Sequence, residues 1–202
     1  MSSINPIDEC YILSSGLKTD IRARYEEPHR FYHNTEHIGK IWQYYWWHTR
    51  NQSWNERIKL ATIFHDVIYE VGSVNNELRS AQFMLSSMGM TYKDGSVFAE
   101  IHDTILATKD HTNPAYDSMY EWSLMFLDLD LYELGSELDV FKANTVKVTA
   151  ELATKYSAEE IITGRQAWLE KMLSSKRIFR YFKERESKAR LNLEHELKEL
   201  TA

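Results

Sequence analysis

The 202-residue chain has one cysteine, three prolines and seven glycines, and each scarcity removes a class of structure. A single thiol, Cys10, cannot close an internal disulfide, so the expected setting is a reducing cytosol rather than a cystine-stapled secreted module. Few glycines and prolines disfavour a sandwich or barrel with many tight turns and favour long helices. No apolar run reaches the roughly 18 residues of a membrane-spanning helix, and no basic-then-apolar leader opens the chain, so no membrane partner is expected. Positive charge is also short. With 24 Lys and Arg against 30 Asp and Glu, the net charge of -6 argues against a non-specific nucleic-acid binder, which needs a basic face. A small anionic substrate in a locally basic pocket stays compatible with it.

What is present suits an all-α fold. Hydrophobic residues make up 43% of the chain and aromatics 13%, enough to build a core, and the chain is expected as a single helical domain over 1–202. Asn5-Pro6 reads as an N-cap with a first-turn proline, opening a helix with Ile7, Tyr11 and Leu17 on its stripe. That helix should run to about Tyr25 and stop before Glu27-Pro28, because proline pushes its predecessor out of the helical region. Asn34 can cap the next helix, placing His37 in its first turn beside Ile38, Ile41 and Trp42. The aromatic run from Trp42 to Trp47 lacks interleaved Lys or Arg, so it reads as core or a packing seam, a homodimer seam included, rather than a base-stacking platform. Asn75-Asn76-Glu77 caps a further helix that stops at Gly89, Asp94-Gly95 marks a turn, and a helix from Val97 ends near 107–111. Amphipathic helices follow over 138–156 and 158–173, with one or two more over 177–200. Arg165 and Arg190 in them could fork towards a phosphate or hold acidic partners.

The stretch Leu60-Ala61-Thr62-Ile63-Phe64-His65-Asp66-Val67-Ile68-Tyr69 is apolar except near its centre. As a helix from Trp54 to about Gly72 it carries Leu60, Phe64 and Val67 on one stripe and Ile58, Ala61, His65 and Ile68 on another, so both sides look buried. An ionised carboxylate in such a place costs several kcal/mol unless it is paired. A divalent cation would compensate the Asp66 charge and accept the lone pair of a neutral imidazole; a His-Asp pair hydrogen-bonded to neighbouring helices is the structural alternative.

The same puzzle recurs in Trp122-Ser123-Leu124-Met125-Phe126-Leu127-Asp128-Leu129-Asp130-Leu131-Tyr132-Glu133-Leu134-Gly135. The alternation Leu-Asp-Leu-Asp-Leu would pass for a strand, but the run extends for about fifteen residues and ends on a glycine, as a helix would. On a helix Asp128 and Asp130 point about 200° apart. Asp130 shares a stripe with Leu127, Leu131 and Leu134 and is preferred as the site carboxylate, while Asp128 suits a buried capping role.

His37, His65-Asp66 and Asp130, in this order and setting, resemble the HD superfamily of metal-dependent phosphohydrolases. The resemblance extends to Tyr32-His33-Asn34-Thr35-Glu36-His37-Ile38, Asn76-Glu77 with Ser80-Ala81, Ala107-Thr108-Lys109 with His111, Gly164-Arg165 and Ala189-Arg190-Leu191-Asn192-Leu193. Together these look like the subgroup described as predicted metal-dependent HD phosphohydrolases, from about Tyr25 to Leu197, with a motif core near 25–135 and C-terminal helices over about 137–200. The chain departs from that subgroup at Asn75, where an Asp often precedes the Asn-Glu pair, leaving one carboxylate fewer.

The resemblance implies an all-helical fold with a central metal site held by His37, His65, Asp66 and Asp130. Two nitrogens and two oxygens without thiolates suit Mn, Fe, Co, Ni, Zn or Mg, with Mg the least natural partner for histidine. A bound cation would acidify a water to attack phosphorus and offset phosphate charge. The expected substrate is a small nucleotide or another phosphate ester or anhydride. Asp66, Glu70, Glu77 and His111 are the catalytic candidates, and Arg30, His33, Lys109 and Arg165 the substrate-binding ones. Two other readings stand beside this one. A non-catalytic, metal-stabilised ligand-binding module would lose stability but no turnover without His65 and Asp66. A di-iron oxygenase would need further inward ligands, which His102, Asp103 and His111 could supply.

Overall fold

The computed structural model describes residues 5–49 and 52–201. Among the described residues the secondary structure is helical, with ten α-helices, short 3₁₀ turns and no strand, as the scarcity of glycine and proline leads one to expect. No helix among them is long and apolar enough to cross a membrane. The chain forms two compact units, Met1–Lys109 and Asp110–Ala202.

The first unit contains α1 (Pro6–Glu9), α2 (Ser15–Tyr25), α3 (Thr35–His48), α4 (Asn55–Phe64), α5 (Asn76–Ser87) and α6 (Val97–Ala107). The expected opening helix is divided. Asn5 does cap α1, its Oδ1 accepting from the Ile7 N–H at 2.9 Å, but Ser14 starts a new helix by accepting from the Leu17 N–H. A serine hydroxyl that satisfies backbone two or three residues on competes with continuing the earlier helix. Tyr11 consequently lies in the turn, 91% exposed, instead of on a buried stripe, while Cys10 beside it is buried, which pushes its thiol pKa up.

The chain around α4 forms the centre of this unit. Ile58, Leu60, Ala61, Ile63 and Phe64 are all buried, and α4 packs against α1, α3, α5 and α6. Each such large apolar side chain contributes about 1.5–3 kcal/mol on burial. Asn34 caps α3 as its sequence suggests, accepting from the Glu36 N–H at 2.9 Å. The aromatic run on α3 splits by helical phase. Trp42 and Tyr45 share the buried side with Ile38 and Ile41, whereas Trp46 and Trp47 face outward, Trp47 at 66% exposure. Helix α4 ends at Phe64, not near Gly72, so Asp66 to Glu70 leave the helical path. The left-handed turn that follows needs Gly72, whose φ is 72°.

The second unit holds α7 (Glu121–Asp130), α8 (Leu138–Leu152), α9 (Ala158–Ser174) and α10 (Glu186–Thr201). The Leu-Asp-Leu-Asp-Leu segment is helical up to Asp130, then tightens into a 3₁₀ turn over Tyr132–Gly135. Helix α10 lies against α9 and that turn. Asn192 on α10 donates to the Leu134 and Ser136 carbonyls at 2.8 and 2.9 Å, and Arg165 on α9 forks onto Glu196 at 2.7 and 2.9 Å.

Residues 177–185 do not start the last helix, because their backbone donors are claimed elsewhere. Glu186 accepts from the Ile178 and Phe179 amides, and Asp128 accepts from those of Arg180, Tyr181 and Phe182 at 3.1, 2.6 and 2.8 Å. Two carboxylates thus hold five successive N–H groups.

Candidate metal centre

His37 reaches the site because the Asn34 cap starts α3 three residues earlier and turns its imidazole towards the buried side. His65 follows the last residue of α4 and is 1% exposed. Its Nδ1 lies 3.1 Å from the Thr62 carbonyl oxygen. A carbonyl can only accept, so Nδ1 carries the hydrogen and Nε2 of the neutral ring keeps its lone pair. That Nε2 faces His37 Nε2 at 3.4 Å and Asp66 Oδ2 at 3.1 Å.

A carboxylate oxygen against an imidazole lone pair is repulsive unless something positive is shared there, a proton or a cation. Two nitrogens bound at about 2.0–2.1 Å to one ion stand about 2.8–3.0 Å apart at an octahedral angle and about 3.3–3.4 Å apart at a tetrahedral one, and these rings match the latter. The two facing imidazoles therefore fit a divalent metal, and His37 and His65 could hold one, with the Asp66 oxygen beside His65. Thr62 is the partner that sequence reasoning missed; an orienting carbonyl three residues before the histidine leaves no mark in residue type.

Asp66 is placed by the backbone around it. Arg30 is buried and spends its guanidinium on this corner: Nη1 donates to the Asp66 carbonyl at 2.6 Å and to the His33 carbonyl at 3.1 Å, Nη2 to the Val67 carbonyl at 3.2 Å, and Nε to Glu27 at 3.0 Å. On the far side Ser80 accepts from the Ile68 N–H at 3.0 Å and donates back to its carbonyl at 3.2 Å. Asn76 does the same for Glu70, at 3.0 and 2.9 Å. These side chains draw the chain off the end of α4, and this is why the helix stops short of its apolar pattern.

The remaining candidates of the first unit surround this corner. His33 stacks on Tyr69 with centroids 4.5 Å apart and stands edge-on to His37 at 5.9 Å. Glu77, in the first turn of α5, has a buried Oε2 with no hydrogen-bond partner among the described residues. Glu70 instead points outward and pairs with Arg79 at 3.0 Å. Lys109 donates to the Val74 carbonyl just before α5. His102 and Asp103 on α6 bond each other at 3.0 Å, with the Tyr92 hydroxyl donating to the same carboxylate at 3.1 Å.

In the second unit Asp130 Oδ2 lies 3.2 Å from His111 Nε2, and His111 Nδ1 is buried without a partner among the described residues. Arg180 fixes the His111 segment by donating to the His111 and Asn113 carbonyls at 2.8 and 2.9 Å and to Asp117 at 2.7 Å. The fork of Arg165 is filled by Glu196, and Arg190 is occupied by Glu186 and the Leu173 and Ser175 carbonyls. Asp128 is fully engaged by the three amides described above. No family model matches the chain, and no curated protein and no solved structure is detectably similar to it.

Proposed function

We propose that the protein is a divalent-metal-dependent phosphohydrolase of the HD type. Its substrate is a small nucleotide or another phosphate ester or anhydride, and its ligands are His37, His65, Asp66 and, from the order of the motif, Asp130. The observation that carries this reading is the meeting of two imidazole Nε2 atoms with a carboxylate oxygen beside one of them, at 3.4 and 3.1 Å, next to a buried helix end. The ordered motifs that resemble the HD superfamily support it, as does the absence of thiolate from the set. When bound, the ion supplies Lewis acidity towards phosphate oxygen and an acidified water.

The chain's own groups divide the remaining work. The Thr62 carbonyl keeps the proton on His65 Nδ1 and so keeps Nε2 available as a ligand. Glu77, with a buried oxygen that has no hydrogen-bond partner among the described residues, is the better placed carboxylate to move a proton, ahead of the outward Glu70. His111, whose Nδ1 has no partner among the described residues, is the imidazole candidate for the same task. An ammonium has three donors, so Lys109 has donors for a phosphate besides the one on Val74. His33 is held by Tyr69 beside His37 and offers a further donor to substrate.

The test is a phosphatase screen of the metal-loaded protein over mononucleotides, dinucleotides, cyclic nucleotides and alarmones, with Asp66→Ala as the control. Turnover of one substrate class is expected, falling on the order of 100-fold or more in the variant, as loss of a metal ligand should cost at least what loss of its supporting partner does. Equal turnover by the variant would sink the proposal.

A further inference from the structure

The buried Arg30 has the charge and reach of a phosphate ligand, yet all of its described hydrogen bonds go to the chain itself. Three of its contacts are carbonyl oxygens, at residues 33, 66 and 67, and two of those belong to or follow the carboxylate beside His65. Asp66 follows directly on the last turn of α4, and its carbonyl receives the shortest of the Arg30 bonds, at 2.6 Å. The planar guanidinium also lies over the Tyr69 ring at 5.3 Å and the Tyr25 ring at 5.2 Å, which fixes its plane. A rigid fork that holds adjacent carbonyls sets the rotation of the peptide between them, and hence the direction of the side chain.

We propose that Arg30 is a positioning residue for the metal site: it binds no substrate, and by pinning the Asp66 and Val67 carbonyls it aims the Asp66 carboxylate at His65 Nε2, the ring nitrogen that faces His37. The same fork ties the His33 carbonyl to that corner, so the segment leading into α3 and the turn after α4 share one support. Lysine can keep the charge but cannot hold three carbonyls in one plane. The inference rests on the proposed metal-site reading and adds to it the group that gives the site its shape.

The experiment is a calorimetric titration of the full chain with Mn²⁺ alone, alongside thermal melts of the metal-free proteins. Arg30→Lys should weaken Mn²⁺ binding tenfold or more, in the range found for groups that orient ligands. Glu27→Gln, a half-buried change that neutralises the carboxylate on Arg30 Nε, which also faces His29 Nε2 at 3.8 Å, should weaken it about threefold and keeps the test open if Arg30→Lys does not fold. Ile105→Val, a core truncation on α6, lowers the melting temperature without moving the affinity and so separates general loosening from positioning. Unchanged Mn²⁺ affinity in Arg30→Lys, or in Glu27→Gln where Arg30→Lys does not fold, overturns the role of Arg30 while leaving the metal site intact. Absence of binding by the wild-type chain overturns the site itself, and this role with it.

Discussion

At Asp128 burial and hydrogen bonding pull in opposite directions. Burial pushes the carboxyl up to about 6 even though three backbone N–H groups and the Arg180 charge favour its ionised form. In the unfolded chain the same group titrates near about 3.9. Between these values the folded state holds the proton and the unfolded state does not, so the Asp128 contribution to stability is fully present below about 4 and is lost as pH rises through about 6. The stability of wild type relative to Asp128→Asn should therefore fall by about 2–3 kcal/mol from pH 4 to pH 7, which urea unfolding at the two pH values measures. A difference that is flat or rises with pH would show that the three amides win. That Asp128 serves as an internal cap was legible from helical phase, since it and Asp130 point to different sides. The five amides that receive Asp128 and Glu186 were not, because they lie some fifty residues away from Asp128 in a segment with an ordinary helical pattern.

Helices α3, α6 and α9 begin where the side chains of Asn34, Ser96 and Ser157 accept first-turn amides, and α5 ends just before Gly89 with its φ of 63°, because such signals are a local matter of one residue and the backbone it can reach. The ends that escaped sequence reading were set at a distance. Helix α4 stops at Phe64 because Arg30, Ser80 and Asn76 take the backbone groups that a continuing helix would use, and apolar periodicity has no record of them. The 3₁₀ turn over Tyr132–Gly135 is another tertiary matter. A Cβ on Gly135 would meet the Cβ and the backbone oxygen of Arg185 at 3.1 Å, and Arg185 lies flat over the Tyr132 ring while donating to its carbonyl. Gly135→Ala should cost about 1–3 kcal/mol by forcing this layer apart, readable as a lower urea midpoint with unchanged helix content. Equal midpoints would mean that the Arg185 segment yields freely.

For the molecule as a whole, the all-α architecture followed from composition, and the candidate side chains were picked out as polar residues embedded in apolar runs. Which of them carry the site did not follow from residue type alone: Arg30 and Arg165 look like phosphate ligands in sequence and are used as internal struts. An ion held at His37, His65 and Asp66 would bind the folded chain and not the unfolded one. At Mn²⁺ a hundredfold above its dissociation constant the gain is about 2.7 kcal/mol, or about 5–10 °C in melting temperature for a chain of this size, and chelation should reverse it. Asp66→Ala should melt at the same temperature with and without Mn²⁺; a shift equal to that of wild type would place the ion elsewhere.

The bracket formed by Asn76 and Ser80 imposes a length rule. Four residues of α5 separate them by about 6 Å along the axis, and they serve two stations two residues apart on the passing chain, Ile68 and Glu70. Side chains thus do the pairing that a neighbouring strand would do. An added residue between Glu70 and Asn76 merely lengthens the connecting bend. One added between Asn76 and Ser80 would swing them about 100° out of phase, and one of the two stations would lose its partner.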